Sequence, residues 1–415
     1  MNKRFFKIAK ISIIYILLFI ILYNESTIIG QIRFGVLWKI PLLTFLLIYT
    51  LINSIGKKDL SFLFVSLLFV LKLVLNTSFP ENVFKDATSA FSELFLPLSY
   101  YYFKYKYSLT PKKVLSILIH LSIFYLLSSL PFIFKLISPN QNDIDMLSWG
   151  GYQNINLLTG LFYSVDSSSK VFVFSTIVVL VNFERFKRTL QTKLFYYSLV
   201  ILGIYSTFYA FTRTGWLSLI FGVLLYYFYN TNLKQKSKFI FASVTVIVLF
   251  MSLGEVTELI QNRVLGIRTV SKKNYTRVDE LTSSRSILFD VAYKTITQAD
   301  TKTLFFGYGE EQGRIEFTKY INKAMVAHNR FLEITISGGL LALFLFLLML
   351  RIMIKKVRRQ NQEIKYSNIN KTANILLMIY IFYLFPSHGL PIWADVIMGG
   401  YIYLKEARLN TKIMD

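Results

Sequence analysis

Apolar runs of roughly 20 residues recur along the whole chain, the length an α-helix needs to cross a bilayer. They predict helical spans at 8–23, 36–52, 60–76, 87–103, 114–137, 170–183, 194–211, 215–229, 239–253, 331–350, 372–385 and 389–404. The pattern is that of an all-α integral membrane protein with about 12 transmembrane helices. The run containing Lys72 and the short run at 170–183 depart most from it. The first run follows Lys3, Arg4, Lys7 and Lys10, as in a signal peptide. Tyr23-Asn24-Glu25-Ser26 is a poor cleavage site, so this run reads as a retained first span.

The polar connections are short, with two exceptions. Residues 254–330 form one long polar segment, and a loop of that length in a compact protein is usually functional. Within it, Ser283-Ser284 can cap a helix whose apolar positions Ile287, Leu288, Val291, Ala292 and Ile296 share one face. Phe306-Gly307-Tyr308-Gly309 reads as a turn ending that unit. The second exception, about 138–169, contains Asp143, Asp145, Trp149 and Gly150-Gly151.

Charge then orients the spans. Hydrophobic residues make up 54% and charged residues only 17%, against roughly a quarter charged in soluble domains. The net charge of +23 would suggest nucleic acid in a soluble protein. Here more than half of the Lys and Arg residues fall in alternate connections, including Arg185, Lys187 and Arg188, and the cluster from Arg351 to Lys371. The other connections hold few, among them Arg33, Lys85, Lys170 and Arg213. The positive-inside rule places both termini in the cytoplasm, with an even number of spans and no need for nucleic acid. The 254–330 segment falls outside, with twelve basic and nine acidic residues; long loops cross regardless of charge.

Three outer positions can carry chemistry. Arg213 lies in the tight turn Phe211-Thr212-Arg213-Thr214-Gly215-Trp216. Its guanidinium can snorkel to lipid phosphates or hold a lipid-linked phosphate in a bidentate pair. Arg285 follows Ser283-Ser284, where helix N–H groups favour anions; the alternative is a solvated surface charge. His328, in Ala327-His328-Asn329-Arg330-Phe331-Leu332-Glu333, can act as a general base near neutral pH or sit as an interface residue. His388, in the outer turn Pro386-Ser387-His388-Gly389, and Arg330 can join the same site. His120 falls mid-span and reads as a bundle-interior group with a hydrogen-bond partner. With no cysteine there is no thiolate site, and there is no phosphate-binding Gly-rich loop and no His-Glu-x-x-His pattern. Asp143 and Asp145 have a spacing that can hold a divalent cation, but a lone instance in a polar loop is a weak signal.

Taken in order, three stretches resemble the O-antigen polymerase and O-antigen ligase family of bacterial membrane glycosyltransferases. They are Phe211-Thr212-Arg213-Thr214-Gly215-Trp216-Leu217; Ser284-Arg285 with its helix, through Leu304-Phe305-Phe306-Gly307-Tyr308-Gly309; and Ala327 to Glu333 followed by Gly338-Gly339. Thr212 and Thr214 depart from the family's usual serine and glycine. The resemblance implies a GT-C-like fold with N-terminal transmembrane helices (1–200), a family core (201–350) enclosing the outer loop 254–330, and C-terminal helices with a cytoplasmic tail (351–415).

It further implies a bacterial inner-membrane enzyme that is metal-independent and needs no cofactor. The donor and acceptor would be glycans on undecaprenyl pyrophosphate, with membrane lipids, a chain-length regulator and a flippase as partners. Arg213 and Arg285 would be catalytic and hold the pyrophosphate, His328 would act on the acceptor hydroxyl, and Arg330 and His388 would bind substrate. The preferred activity is an O-antigen or capsular polysaccharide polymerase. A ligase acting on lipid A core shares the motifs. From another class, a lipid-glycan flippase or transporter would more typically show repeats and ionisable residues deep in spans, where Lys72 and His120 are the evident candidates.

Overall fold

The computed structural model describes residues 3–23, 28–29, 32–54, 60–76, 90–106, 109–137, 161, 165–182, 189–210, 212–230, 285–321, 327–358, 368–385 and 391–409. Among these the architecture is helical apart from one small antiparallel pair, β1 (Ile28–Ile29) and β2 (Ile32–Arg33). The helices are α1 (Lys3–Tyr23), α2 (Phe34–Ser54), α3 (Ser61–Leu75), α4 (Phe95–Tyr105), α5 (Pro111–Leu127), α6 (Leu130–Ile133), α7 (Val165–Asn182), α8 (Leu190–Tyr209) and α9 (Arg213–Asn230). They continue with α10 (Arg285–Thr297), α11 (Thr301–Phe306), α12 (Glu310–Ile321), α13 (Arg330–Arg358), α14 (Asn368–Leu384) and α15 (Ile392–Leu409).

A helix lies over eleven of the predicted apolar runs; the run at 239–253 lies outside the described residues. Among the described residues three segments are long and apolar enough to cross a membrane by length and composition: Leu37–Ser54, Pro111–Ile133 and Arg330–Arg358. Apolar faces point outward on many helices, as at Ile16, Phe45, Leu71, Ile201 and Phe344. Such a surface suits lipid rather than water.

The short run at 170–183 becomes the centre of the bundle. In α7, Val171, Phe172, Val173, Phe174, Ile177 and Val178 have no exposed surface. This helix packs against α5, α8, α9, α14 and α15. A helix apolar all round is buried all round. Its hydroxyls fold back onto its own backbone, Thr176 donating to the Phe172 carbonyl at 2.6 Å and Ser169 to that of Asp166 at 2.9 Å.

Two predicted spans are interrupted. The run at 87–103 has a turn at Glu93-Leu94, and α4 proper is only eleven residues, about 16 Å at 1.5 Å per residue. The run at 114–137 breaks at Ser128-Ser129, just before Pro131, whose nitrogen has no hydrogen to donate. His120 is placed differently from its predicted interior position. It is exposed on α5, and the Tyr15 hydroxyl of α1 lies 3.2 Å from its Nδ1 and donates to its carbonyl at 2.9 Å.

Contacts sort the bundle into two ends. At one, Lys104, Lys356, Tyr100 and Glu406 meet. At the other, Trp38 stacks on Trp393 and the Phe331 ring meets that of Phe385 at a tilt. Each group joins residues that the distribution of basic residues assigns to a single side.

Candidate functional site

The entry to α13 is built from three consecutive residues. Ala327 is buried, with Leu288, Val291, Ala292, Phe317 and Ile336, in a small core beneath α10 and α12. His328 follows in the left-handed region at φ 50°, where residues other than glycine are uncommon. Such backbone costs roughly 1–3 kcal/mol and tends to collect at functional positions. Asn329 then caps the helix, its Oδ1 accepting from the N–H groups of Phe331 at 3.0 Å and Leu332 at 3.1 Å. Capping fixes where α13 begins and thus where His328 stands.

Arg330, the first residue of α13, donates to Glu93 Oε1 at 2.5 Å, and Glu333 lies 3.8 Å away. All three side chains are largely buried. The predicted substrate-binding cation is therefore engaged by two carboxylates and ties α13 to the turn before α4. In the first turn of α15, Asp395 is 7% exposed, and its Oδ1 has no hydrogen-bond partner among the described residues. It sits beside Tyr380 and within electrostatic reach of Glu93, Arg330 and Lys170. Lys170, at 3% exposure, pairs with Asp166 at 2.6 Å and lies over the Tyr383 ring.

Glu93, Asp166, Lys170 and Asp395 are absent from the predicted site. Glu93 and Asp395 fall inside predicted spans 87–103 and 389–404, where an ionisable residue is itself a functional signal. Naming only Lys72 and His120 as mid-span candidates passed over both.

Nine residues into α13 the helix breaks. Gly339 has φ 71° and ψ −175°, a conformation essentially confined to glycine. The break frees carbonyls, and the loop after α11 takes them. Tyr308 N–H donates to Ile336 at 2.9 Å and Gly309 N–H to Ser337 at 2.8 Å. The fit leaves no room for a side chain: a Cβ on Gly339 would lie 2.4 Å from the Phe305 oxygen, and one on Gly307 2.3 Å from the Ser337 oxygen. The stretch predicted to end the loop unit instead joins α11 to α12 and docks the whole module on α13. From α3, Lys72 donates to the Phe306 carbonyl at 2.7 Å, and Asn76 bonds both that carbonyl and Ser337. Lys72 thus serves the α10–α12 module, one turn from the end of its helix.

The predicted apolar face of α10 is buried at Leu288, Val291 and Ala292, with Ile296 packed against the same core. Asp300 caps α11 by accepting from Thr303 N–H at 2.6 Å. That backbone bond, seconded by the Thr303 hydroxyl, holds the Asp300 carboxyl below its usual range. Arg285 opens α10, but its side chain and residues 283–284 lie outside the described set.

Arg213 opens α9; its side chain too lies outside the described set. The turn carrying it is tightly specified. Thr212 Oγ1 accepts from Gly215 N–H at 3.2 Å. The Trp216 indole stacks on Phe208 at 4.9 Å and donates to the Phe208 carbonyl at 3.0 Å. Gly215 presses so closely on Ser169 that an added Cβ would lie 2.7 Å from the serine Cβ. The Arg213 turn thus abuts Ser169-Lys170, and Lys170 faces Tyr383 of α14. Phe385, just past α14, meets Phe331 at 5.2 Å. This chain of contacts gathers the Arg213 turn and the His328 entry at one end of the bundle. His388, Asp143 and Asp145 lie outside the described residues. Among the described residues no three His, Cys, Asp or Glu side chains are grouped to hold a metal ion.

Residues 198–347 match the family model described as O-Antigen ligase. Comparison with curated proteins gave no match. The Arg213 turn, the α10–α12 module, the His328 entry and the Gly339 break all fall inside the matched stretch, and this domain supports placing the chain in the O-antigen polymerase and ligase family.

Proposed function

We propose that the chain is a polysaccharide polymerase of the bacterial inner membrane, with about 12 spans and cytoplasmic termini. It would transfer a glycan from undecaprenyl pyrophosphate to a sugar hydroxyl of another lipid-linked repeat unit. The observation that carries the reading is the O-antigen ligase domain over 198–347, with all three motif stretches inside it.

The chemistry follows from the residue types. The acceptor oxygen attacks the anomeric carbon of the donor sugar while the bond to pyrophosphate breaks, and His328 takes the hydroxyl proton. Arg213 and Arg285 neutralise the departing pyrophosphate. A single displacement inverts the anomeric carbon. Arg330, engaged by Glu93 and Glu333, would position the entry to α13 rather than touch the leaving group.

The family description favours a second reading, an O-antigen ligase that passes the glycan to lipid A core. Purified protein with synthetic lipid-linked repeat units, supplied with or without lipid A core, separates them. A ladder of lengthening lipid-linked products without core supports the polymerase. Transfer only to core supports the ligase. Movement of lipid-linked glycan across vesicles with no new glycosidic bond would support a flippase and sink both.

A further inference from the structure

We infer that Phe305 and Phe306, at the C-terminal end of α11, are seated among the lipid chains of the membrane leaflet at the His328 end of the bundle, as the foot of the outer module. The inference needs only a membrane-embedded bundle and is independent of the polymerase reading.

The first observation is a level. Lys72, in the last turn of α3, and Asn76, just past its end, both bond the Phe306 carbonyl, and Lys72 Nζ lies 5.5 Å from the centre of the Phe306 ring. The end of α11 is thereby held at the height where α3 stops. The second is continuity. The outward face of α3 ends in Leu71 and Leu75, 52% and 73% exposed. Its neighbour α13 begins its own outward apolar face at Leu340 and Phe344, just beyond the Gly339 break. Phe305 and Phe306, each 51% exposed, stand where these two faces end, because the Phe305 carbonyl closes on Gly339.

The third observation is polarity along α11 itself. Its N-terminal end carries Asp300, Thr301 and Lys302, and its C-terminal end the two rings. A helix of six residues is about 9 Å long, enough to pass from water to the edge of the hydrocarbon. Aromatic side chains favour that boundary, and a lysine one turn deeper can snorkel toward it, as Lys72 does.

The chain has no native cysteine, so single-cysteine variants are clean reporters. Phe305→Cys, Phe306→Cys and Lys302→Cys in the full chain would carry a nitroxide label in vesicles of phosphatidylethanolamine and phosphatidylglycerol. Collision with oxygen reports lipid, and collision with a water-soluble nickel complex reports water. The oxygen-to-nickel ratio should be several-fold higher at 305 and 306 than at 302. Equal ratios at all three positions would overturn the inference. Low access to both reagents at 305 and 306 would also overturn it, pointing to a protein partner. Phe306→Trp keeps an aromatic ring and gives a second reading. Brominated lipids should quench its added fluorescence beyond the signal of the four native tryptophans, and no added quenching would count against the lipid seat.

Discussion

The two ends of the bundle are built on opposite plans. At the Glu406 end, Lys104 lies 2.7 Å and Lys356 3.8 Å from one carboxylate, and the Tyr100 hydroxyl is shared among them. The helices that meet there, α4, α13 and α15, run through the contact without interruption. At the His328 end the backbone is irregular. His328 is left-handed, α13 breaks at Gly339, and α4 starts only after the Glu93 turn. Irregular backbone persists only where surrounding contacts enforce it, and it tends to gather at functional positions. The Glu406 end reads as a pin, and the His328 end holds the irregular backbone on which the proposed chemistry rests.

The sharpest way to break this contrast is His328→Ala. It should lower turnover by roughly 10²–10⁴-fold, the usual contribution of a general base, with the melting temperature nearly unchanged. Turnover at the wild-type rate would remove His328 from the chemistry and leave His388 to be tested next.

Removing Arg330 should act on stability instead. Arg330→Ala strands Glu93 and Glu333, at a cost of roughly 3–5 kcal/mol for a broken buried pair. The double variant Arg330→Gln with Glu93→Gln should recover part of that loss in thermal unfolding. If each single change is silent, the pair does not hold α13 to α4.

Gly339→Ala tests the break itself. Backbone strain and the close Phe305 oxygen together should cost about 2–4 kcal/mol and loosen the α10–α12 module. Limited proteolysis within 285–321 would report the loosening. Resistance equal to wild type would mean that α13 tolerates a continuous path.

The smallest effect belongs to the pin. Lys104→Ala leaves Glu406 with Lys356 and Tyr100, so no charge is stranded and the loss should be about 1–2 kcal/mol, with no change in turnover. A loss of turnover here would couple the two ends and erase the distinction.

Much of the bundle is legible in the sequence because transfer of an apolar run out of water is a property of the run itself. That is why a helix lies over eleven of the predicted apolar runs, two of them interrupted, and why the face of α10 at Leu288, Val291 and Ala292 could be drawn from spacing alone. The Arg213 turn was legible for a similar reason, since Thr212, Gly215 and Trp216 act on neighbours within eight residues. The 170–183 run looked marginal by length, yet α7 is the most enclosed helix. Its burial depends on five neighbours that hydropathy along one strand of sequence does not register.

By itself, then, the sequence determined the helices, the split of basic residues into alternate connections and the order of the three motif stretches. Only the tertiary structure decided that Arg330 answers Glu93 across 237 residues, that Lys72 serves the Phe306 carbonyl across 234, and that the loop at Tyr308-Gly309 takes the carbonyls beside the Gly339 break. Local patterns follow from short-range sterics and solvation. Pairings at such separations exist only once packing has brought the helices together, and no spacing in the chain encodes them.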